Sequence, residues 1–354
     1  MSETAGSALS PDAGALIGRL MRVRELGLVL ALLVISAAIA FREPRFLQAT
    51  NLEQVALSAT LVCIVSIGEA MVIIARQIDL SVGAIVATSA FVSADWLTKN
   101  PDGSILIVYV IGCSIGLAMG IGNAILVALF RIPAIVATLG TLAIYRGAVI
   151  VYAGGIQISA TVLPDNYGKI AEARVLGVPV LVCLALLATI LFGFLMRFTG
   201  AGRNLYALGS NPESARLAGI DERRHIALVF AISGLLCGLV GVLWGARFGT
   251  VDAVLAPDLH FQAISAVVVG GVSIFGGSGS VYGAAIGAVI FAVFQNGVQL
   301  LGISRFWLQA ALGAAILVTV LFYSSLARRA ERAERESRRR LPVAPRAPYH
   351  RNVV

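Results

Sequence analysis

Long apolar stretches alternate with short polar breaks along almost the whole chain, without the two-residue period that marks strands. Most stretches run to about 20 residues, enough at about 1.5 Å per residue to cross a hydrocarbon layer of about 30 Å. Stretches this long and uniformly apolar suit helices, because the strands of a membrane barrel are shorter and alternate. The pattern predicts an all-α integral membrane protein of about ten transmembrane helices. They lie near residues 26–41, 55–75, 82–97, 105–130, 133–154, 177–198, 226–246, 260–275, 281–301 and 307–326. Residues 1–25 then form a cytoplasmic N-terminal segment, 26–326 the transmembrane domain and 327–354 a basic cytoplasmic tail.

Composition agrees with this class. Hydrophobic residues make up 58% of the 354 and charged residues 13%, with a mean hydropathy of +0.89. Soluble domains are roughly 45–50% apolar and about 25% charged. Charge adds orientation. An even number of spans puts both ends on one side, and that side collects nineteen of the 27 Lys and Arg residues. Basic residues are held back in the cytoplasm, so both termini are expected there. The net charge of +8 comes largely from the tail beginning at Arg328. A basic tail next to a span touches anionic lipid of the bilayer, and nucleic acid is not expected as a partner. Arg22 and Arg24 before an apolar run ending in Ala38-Ile39-Ala40 imitate a cleavable signal, but an uncleaved first span is preferred. Cys63, Cys113, Cys183 and Cys237 all fall in spans at no metal-ligand spacing, so neither a disulfide framework nor a metal site is expected.

Four stretches carry more than hydropathy. In GEAMVIIARQIDLSVG, residues 68–83, Glu69 lies inside a span, where a carboxylate must face a bundle interior or cavity. Asp79 or Ser81 can cap the following helix. In RIPAIVATLGTLAIYRGAVIVYAGG, residues 131–155, Pro133 suits a first helical turn, and Arg146 beside Tyr145 is a buried guanidinium in need of a partner. In AVVVGGVSIFGGSGSVYGAAIG, residues 266–287, the glycines mark a tight turn. No Lys follows in phosphate-loop spacing, so no nucleotide site is read there. The fourth stretch, GAGRNLYALGSNPESARLAGID at 200–221, is a polar loop between the sixth and seventh spans. Asn211 is an N-cap, Pro212 fits the first helical position, Glu213 complements the helix dipole and Gly219 the C-terminal cap. Two turns of helix are too short to stand alone in water, so this helix needs a neighbour, either its own loop or a partner's groove.

Taken together, IDLSVG at 78–83, TLGTLAIYRG at 138–147, GRNLYALGSNPESARLAGI at 202–220 and AVVVGGVSIFGGSGSVYG at 266–283 resemble the permease subunits of ribose- and rhamnose-type ABC sugar importers. The resemblance runs in order across most of residues 50–325. EAMVIIARQIDLSVG, QISATVLP near Gln157 and ARFGTVD at 246–252 look most like the rhamnose branch. Many family members have Gly-Gly where this chain has Arg76-Gln77.

The resemblance implies a transport subunit with no catalytic residues, metal or cofactor of its own, ATP being used by a partner. The implied partners are a cytoplasmic ABC ATPase dimer, a second permease copy or a paralogous permease, and an extracytoplasmic sugar-binding protein. The helix containing Asn211, Pro212, Glu213, Ser214, Arg216, Leu217 and Gly219 is by this analogy the coupling helix in the ATPase. Translocation-pathway candidates are Glu69, Tyr145, Arg146, Phe248, Asn296 and Trp307. The expected solute is a monosaccharide, rhamnose first. Autoinducer-2, ribose or a branched-chain amino acid is the alternative within the superfamily. An ion-coupled secondary transporter would draw on Glu69 and Asp95. An intramembrane enzyme finds no catalytic spacing among His225, His260 and His350.

Overall fold

The computed structural model describes residues 24–304 together with Trp307, Ala310, Gly313 and Ala314. The expected span at 307–326, most of the N-terminal segment and the basic tail lie outside the described residues. What is described is almost wholly helical. In chain order come α1 (Arg24–Arg42), α2 (Ala49–Ile74), α3 (Val82–Lys99), α4 (Ile105–Ala124, extended by a π-helical turn to Leu129) and α5 (Ala134–Ala153). Then follow α6 (Asp165–Glu172), a two-stranded hairpin of β1 (Arg174–Val175) and β2 (Val178–Pro179), and α7 (Val180–Phe198). The last are α8 (Gly200–Ser210), α9 (Pro212–Leu217), α10 (Glu222–Phe248), α11 (Leu259–Val269) and α12 (Val281–Leu300).

Seven helices are long and apolar enough to cross a membrane: α1, α2, α4 with its π turn, α5, α7, α10 and α12. The expected span at 82–97 forms as α3, but Ser89, Ser93 and Asp95 make it more polar, and it is almost entirely wrapped by protein. The expected span at 260–275 is a correction. Only Leu259–Val269 is helical, about 16 Å at 1.5 Å per residue and so half a bilayer. The chain turns out of it at Gly270-Gly271, where Gly271 has φ 85°. The loop at 200–221 also holds more helix than expected. Thr199 Oγ1 accepts the Gly202 N–H and starts α8, whose Leu205 and Leu208 are buried.

The bundle is layered by exposure. The long helices α2, α10 and α12 are the enclosed ones, while α1, α4, α5 and α7 form the rim. Rim helices turn bare apolar side chains outward, including Leu33, Leu106, Ile144 and Ile190, as a lipid-facing surface requires. The tightest seam joins α4 to α10. A Cβ at Gly116 would overlap the backbone of Gly234 and Gly238, so the backbones approach as only glycine allows.

Loops gather at two ends. At the end carrying α9, the Ser280 hydroxyl donates to Glu25, tying the starts of α12 and α1 together. At the opposite, hairpin end, Arg174 pairs with Glu53 of α2, the Tyr167 hydroxyl of α6 donates to the Val242 carbonyl, and Ile158 bridges to Val251. Two irregular segments run inward from these ends. Residues 75–81 bring Asp79 to Glu69, and residues 250–258 bring Ala253 and Leu255 to Arg146. Irregular backbone inside an apolar layer is tolerated only where protein satisfies its polar groups.

Candidate translocation cavity and coupling face

A cavity of about 950 Å³ opens at the hairpin end between α2, the last turn of α10, the start of α11 and the last turns of α12. Six carboxamides line it: Asn51 and Gln54 of α2, Gln262 of α11, and Gln295, Asn296 and Gln299 of α12. Asn51 and Asn296 exchange hydrogen bonds at 3.0 and 2.8 Å, and Asn51 also donates to the Phe46 carbonyl at 2.9 Å. The four glutamine side chains have no protein partner among the described residues. Trp244 and Phe248 supply an aromatic wall, their ring centroids 4.9 Å apart. Arg247 and Asp258 complete the polar lining.

Of the six pathway candidates named from sequence, the cavity includes Phe248 and Asn296 and not the other four. Glu69 is fully buried. Its Oε1 accepts the Asp79 N–H at 3.2 Å, and its Oε2 is enclosed without a partner among the described residues. Asp79 Oδ1 accepts from the Ser81 N–H at 2.9 Å and the Ser81 hydroxyl at 2.6 Å, and Asn123 of α4 donates to the Ser81 Oγ at 2.7 Å. Ser81 occupies the cap position of α3, but its own side chain makes no cap bond. The group ties the inward loop to α2, α3 and α4. The Tyr145 hydroxyl donates to the Met119 carbonyl at 3.0 Å, pinning α5 to α4. Arg146 Nη1 donates to the Ala253 and Leu255 carbonyls at 3.2 and 3.0 Å, satisfying the irregular segment before α11. Trp307 is exposed.

At the other end the loop helix forms as its residues direct. Asn211 is extended (φ −150°), and its Oδ1 accepts the Ser214 N–H at 3.0 Å, with Pro212 in the first turn. Ile220 N donates back to the Ala215 carbonyl and Gly219 has φ 81°, the left-handed close of a helix. Only Ala215 of α9 is buried, and Leu217 is 87% exposed. Beside α9 lies a groove of about 1250 Å³ between the end of α4, the start of α8 and the start of α10, with Arg223, Arg224 and His225 at its edge.

The root of α9 is joined to the bundle through three backbones. Gly277 N donates to the Ile74 carbonyl at 2.9 Å, and a Cβ at Gly209 would overlap both that carbonyl and Gly277 N. The Tyr206 hydroxyl donates to the Gly279 carbonyl at 3.0 Å; burial raises its pKa above the ordinary phenol range, so it stays a donor at neutral pH. A push on α9 therefore meets the end of α2 and the loop before α12, both of which lead to the cavity.

Residues 51–321 match the family described as branched-chain amino acid transport system / permease component. The chain belongs to this family of transport permeases. It is a multi-pass protein of the cell inner membrane, and the resemblance read from its motifs is borne out. The permease is 33% identical over 275 residues to the D-allose transport system permease protein of Escherichia coli (strain K12), covering 78% of this chain and 83% of that one. It is 32% identical over 295 residues to the ribose import permease protein of the same strain, covering 83% and 91%. It is 31% identical over 299 residues to the autoinducer 2 import system permease protein of Escherichia coli O157:H7, covering 84% and 86%. No solved structure matches it.

The sequence reading did not single out most of the lining, although a signal was present. Asn51, Gln54 and Ser58 recur at i, i+3 and i+7 in an apolar helix, and Gln295, Asn296 and Gln299 share one face of another. The two other function classes find little support in the geometry. Asp95 bonds Lys99 and Tyr152 at 2.7 and 2.6 Å, at the hairpin end of α3. Among the described residues no group of three His, Cys, Asp or Glu side chains could hold a metal.

Proposed function

We propose that this permease is the membrane subunit of an ATP-driven importer for a neutral monosaccharide. The observation that carries the reading is the hairpin-end cavity, where unpaired glutamine amides stand beside an aromatic wall. Carboxamides offer both donors and acceptors to hydroxyl groups, and aromatic faces take the apolar face of a sugar ring. The cavity is wide and open, which suits passage and release better than tight holding.

The hairpin end faces outward in this reading, toward a solute-binding protein, and the α9 end faces the cytoplasm. Glu25 at the start of α1 lies at the α9 end, which supports a cytoplasmic N-terminus. Two cytoplasmic ATPases grip α9 of this chain and of a second copy or sister permease. ATP-driven closure moves α9, and the junction at Gly209, Ile74 and Gly277 passes that movement to α2 and α12 on either side of the cavity. The sugar moves inward by alternating access. The relatives are permeases for D-allose, ribose and autoinducer 2, and the motifs of this chain favour L-rhamnose among monosaccharides.

The test is reconstitution in liposomes with the ATPase and binding protein encoded beside this permease, followed by uptake of labelled L-rhamnose, D-allose, D-ribose, autoinducer 2 and L-leucine. ATP-dependent uptake of one of the sugars is expected. Uptake of leucine alone would move the chain to an amino-acid importer, and uptake needing no ATPase would overturn the ABC reading.

A further inference from the structure

The cavity contains one cation, Arg247, whose bonding is incomplete. It stands in the last turn of α10, where Nη2 donates to the Ser58 hydroxyl of α2 at 2.9 Å. Its guanidinium carbon lies 4.8 Å from the centroid of the Phe248 ring, so one face is covered by an aromatic. Nη1 is enclosed and has no hydrogen-bond partner among the described residues, and no carboxylate there forms an ion pair with Arg247. A guanidinium carries five N–H donors and is always charged, so a partly enclosed one with so few acceptors is an unusual element to retain. Its position at a helix C-terminus is favourable for a cation, but that supplies no acceptor.

We infer that Arg247 contacts the transported solute and sets its charge class: oxygen atoms of the solute complete the guanidinium's hydrogen bonds, so the cavity admits neutral polyhydroxylated solutes and rejects cationic ones. This rests on the reading of the cavity as the solute's path. The geometry suits the role. Phe248 and Ser58 hold the guanidinium plane in one orientation, and a planar fork of donors engages two neighbouring hydroxyl oxygens better than a lysine ammonium does. The surrounding glutamines add donors and acceptors without fixed charge, leaving Arg247 as the cavity's discriminating positive group.

The experiment uses the reconstituted importer with Arg247→Met, Arg247→Lys, Arg247→Cys and, as a cation at the same end outside the cavity, Arg174→Met. Uptake of the labelled sugar that the parent importer takes up is read together with ATP hydrolysis, complex retention and thermal midpoint. Uptake is expected to fall at least tenfold in Arg247→Met while complex retention and midpoint hold, to recover in part in Arg247→Lys, and to be unchanged in Arg174→Met. Aminoethyl methanethiosulfonate, which restores a positive charge at the thiol of Arg247→Cys, is expected to recover uptake, and the anionic sulfonatoethyl reagent is not. Parent-level uptake by Arg247→Met overturns the inference, as does a loss matched by failed assembly in all three Arg247 variants.

Should the parent importer take up none of the sugars, the proposed function fails by itself. Labelling of Arg247→Cys in detergent then decides the inference. Reaction slowed by 100 mM D-ribose, and not by the cationic D-glucosamine, upholds it. Reaction that neither sugar slows, or that both slow equally, overturns it.

Discussion

Arg76 ends α2 with a φ of 64°, a left-handed conformation that costs a residue with a Cβ about 1 kcal/mol relative to glycine. The backbone bonds around it, Arg76 N to the Ile73 carbonyl and Gln77 N to the Val72 carbonyl, close the helix as a glycine cap does. The sequence resemblance noted Gly-Gly at this point in many family members, and the dihedral angle gives the reason. Arg76→Gly is expected to raise the thermal midpoint of the purified permease by about 2 °C. A fall would mean that the arginine side chain holds a contact worth more than the strain. Glu69 and Arg146 show the opposite lesson about single residues. Both were legible as buried ionisable groups, but their partners were not, because an N–H from residue 79 and carbonyls from residues 253 and 255 approach through tertiary folding alone.

Among the elements, α9 was the most readable. Its start and end are fixed by Asn211, Pro212 and Gly219, whose effects act within a few residues. What lies outside it is an exposed Leu217, and an apolar side chain on a polar surface helix suits an apolar partner groove. Leu217→Asp is expected to lower ATPase co-purification about tenfold and leave the permease's own thermal midpoint within about 1 °C, because the side chain has few contacts to lose. Full ATPase retention would remove α9 from the coupling face. Half-length α11 was misread as a full span, since hydropathy continues through Ala266–Phe275 while the glycines after Val269 break the helix. Periodicity reports burial in something apolar, and cannot tell lipid from protein.

For the molecule as a whole, the two ends divide the work: an open amide-lined cavity at one, an exposed helix and a groove at the other, with glycine-tight backbone contacts between. A machine of this kind is driven at α9, and its buried carboxylates tie loops to helices. Collapsing the proton gradient while ATP is held constant is therefore expected to leave uptake by the reconstituted importer within about 20% of its starting rate, the spread of such an assay and well below the tenfold effect of about 1.4 kcal/mol. A large loss would return attention to Glu69 as a coupling site.

Hydropathy and local capping fixed the helical membrane class, most span positions, the turn at Arg76-Gln77 and the whole of α9, since each depends on neighbours in sequence or on a bulk property of the segment. The cavity was decided by tertiary structure. Its polar faces come from α2, α10, α11 and α12, which are separated by as many as 245 residues in the case of Asn51 and Asn296. Each face alone is only a few polar positions in an apolar helix. Packing turns them toward one another, and that juxtaposition, together with the incomplete bonding of Arg247, gives the chain a place for a solute.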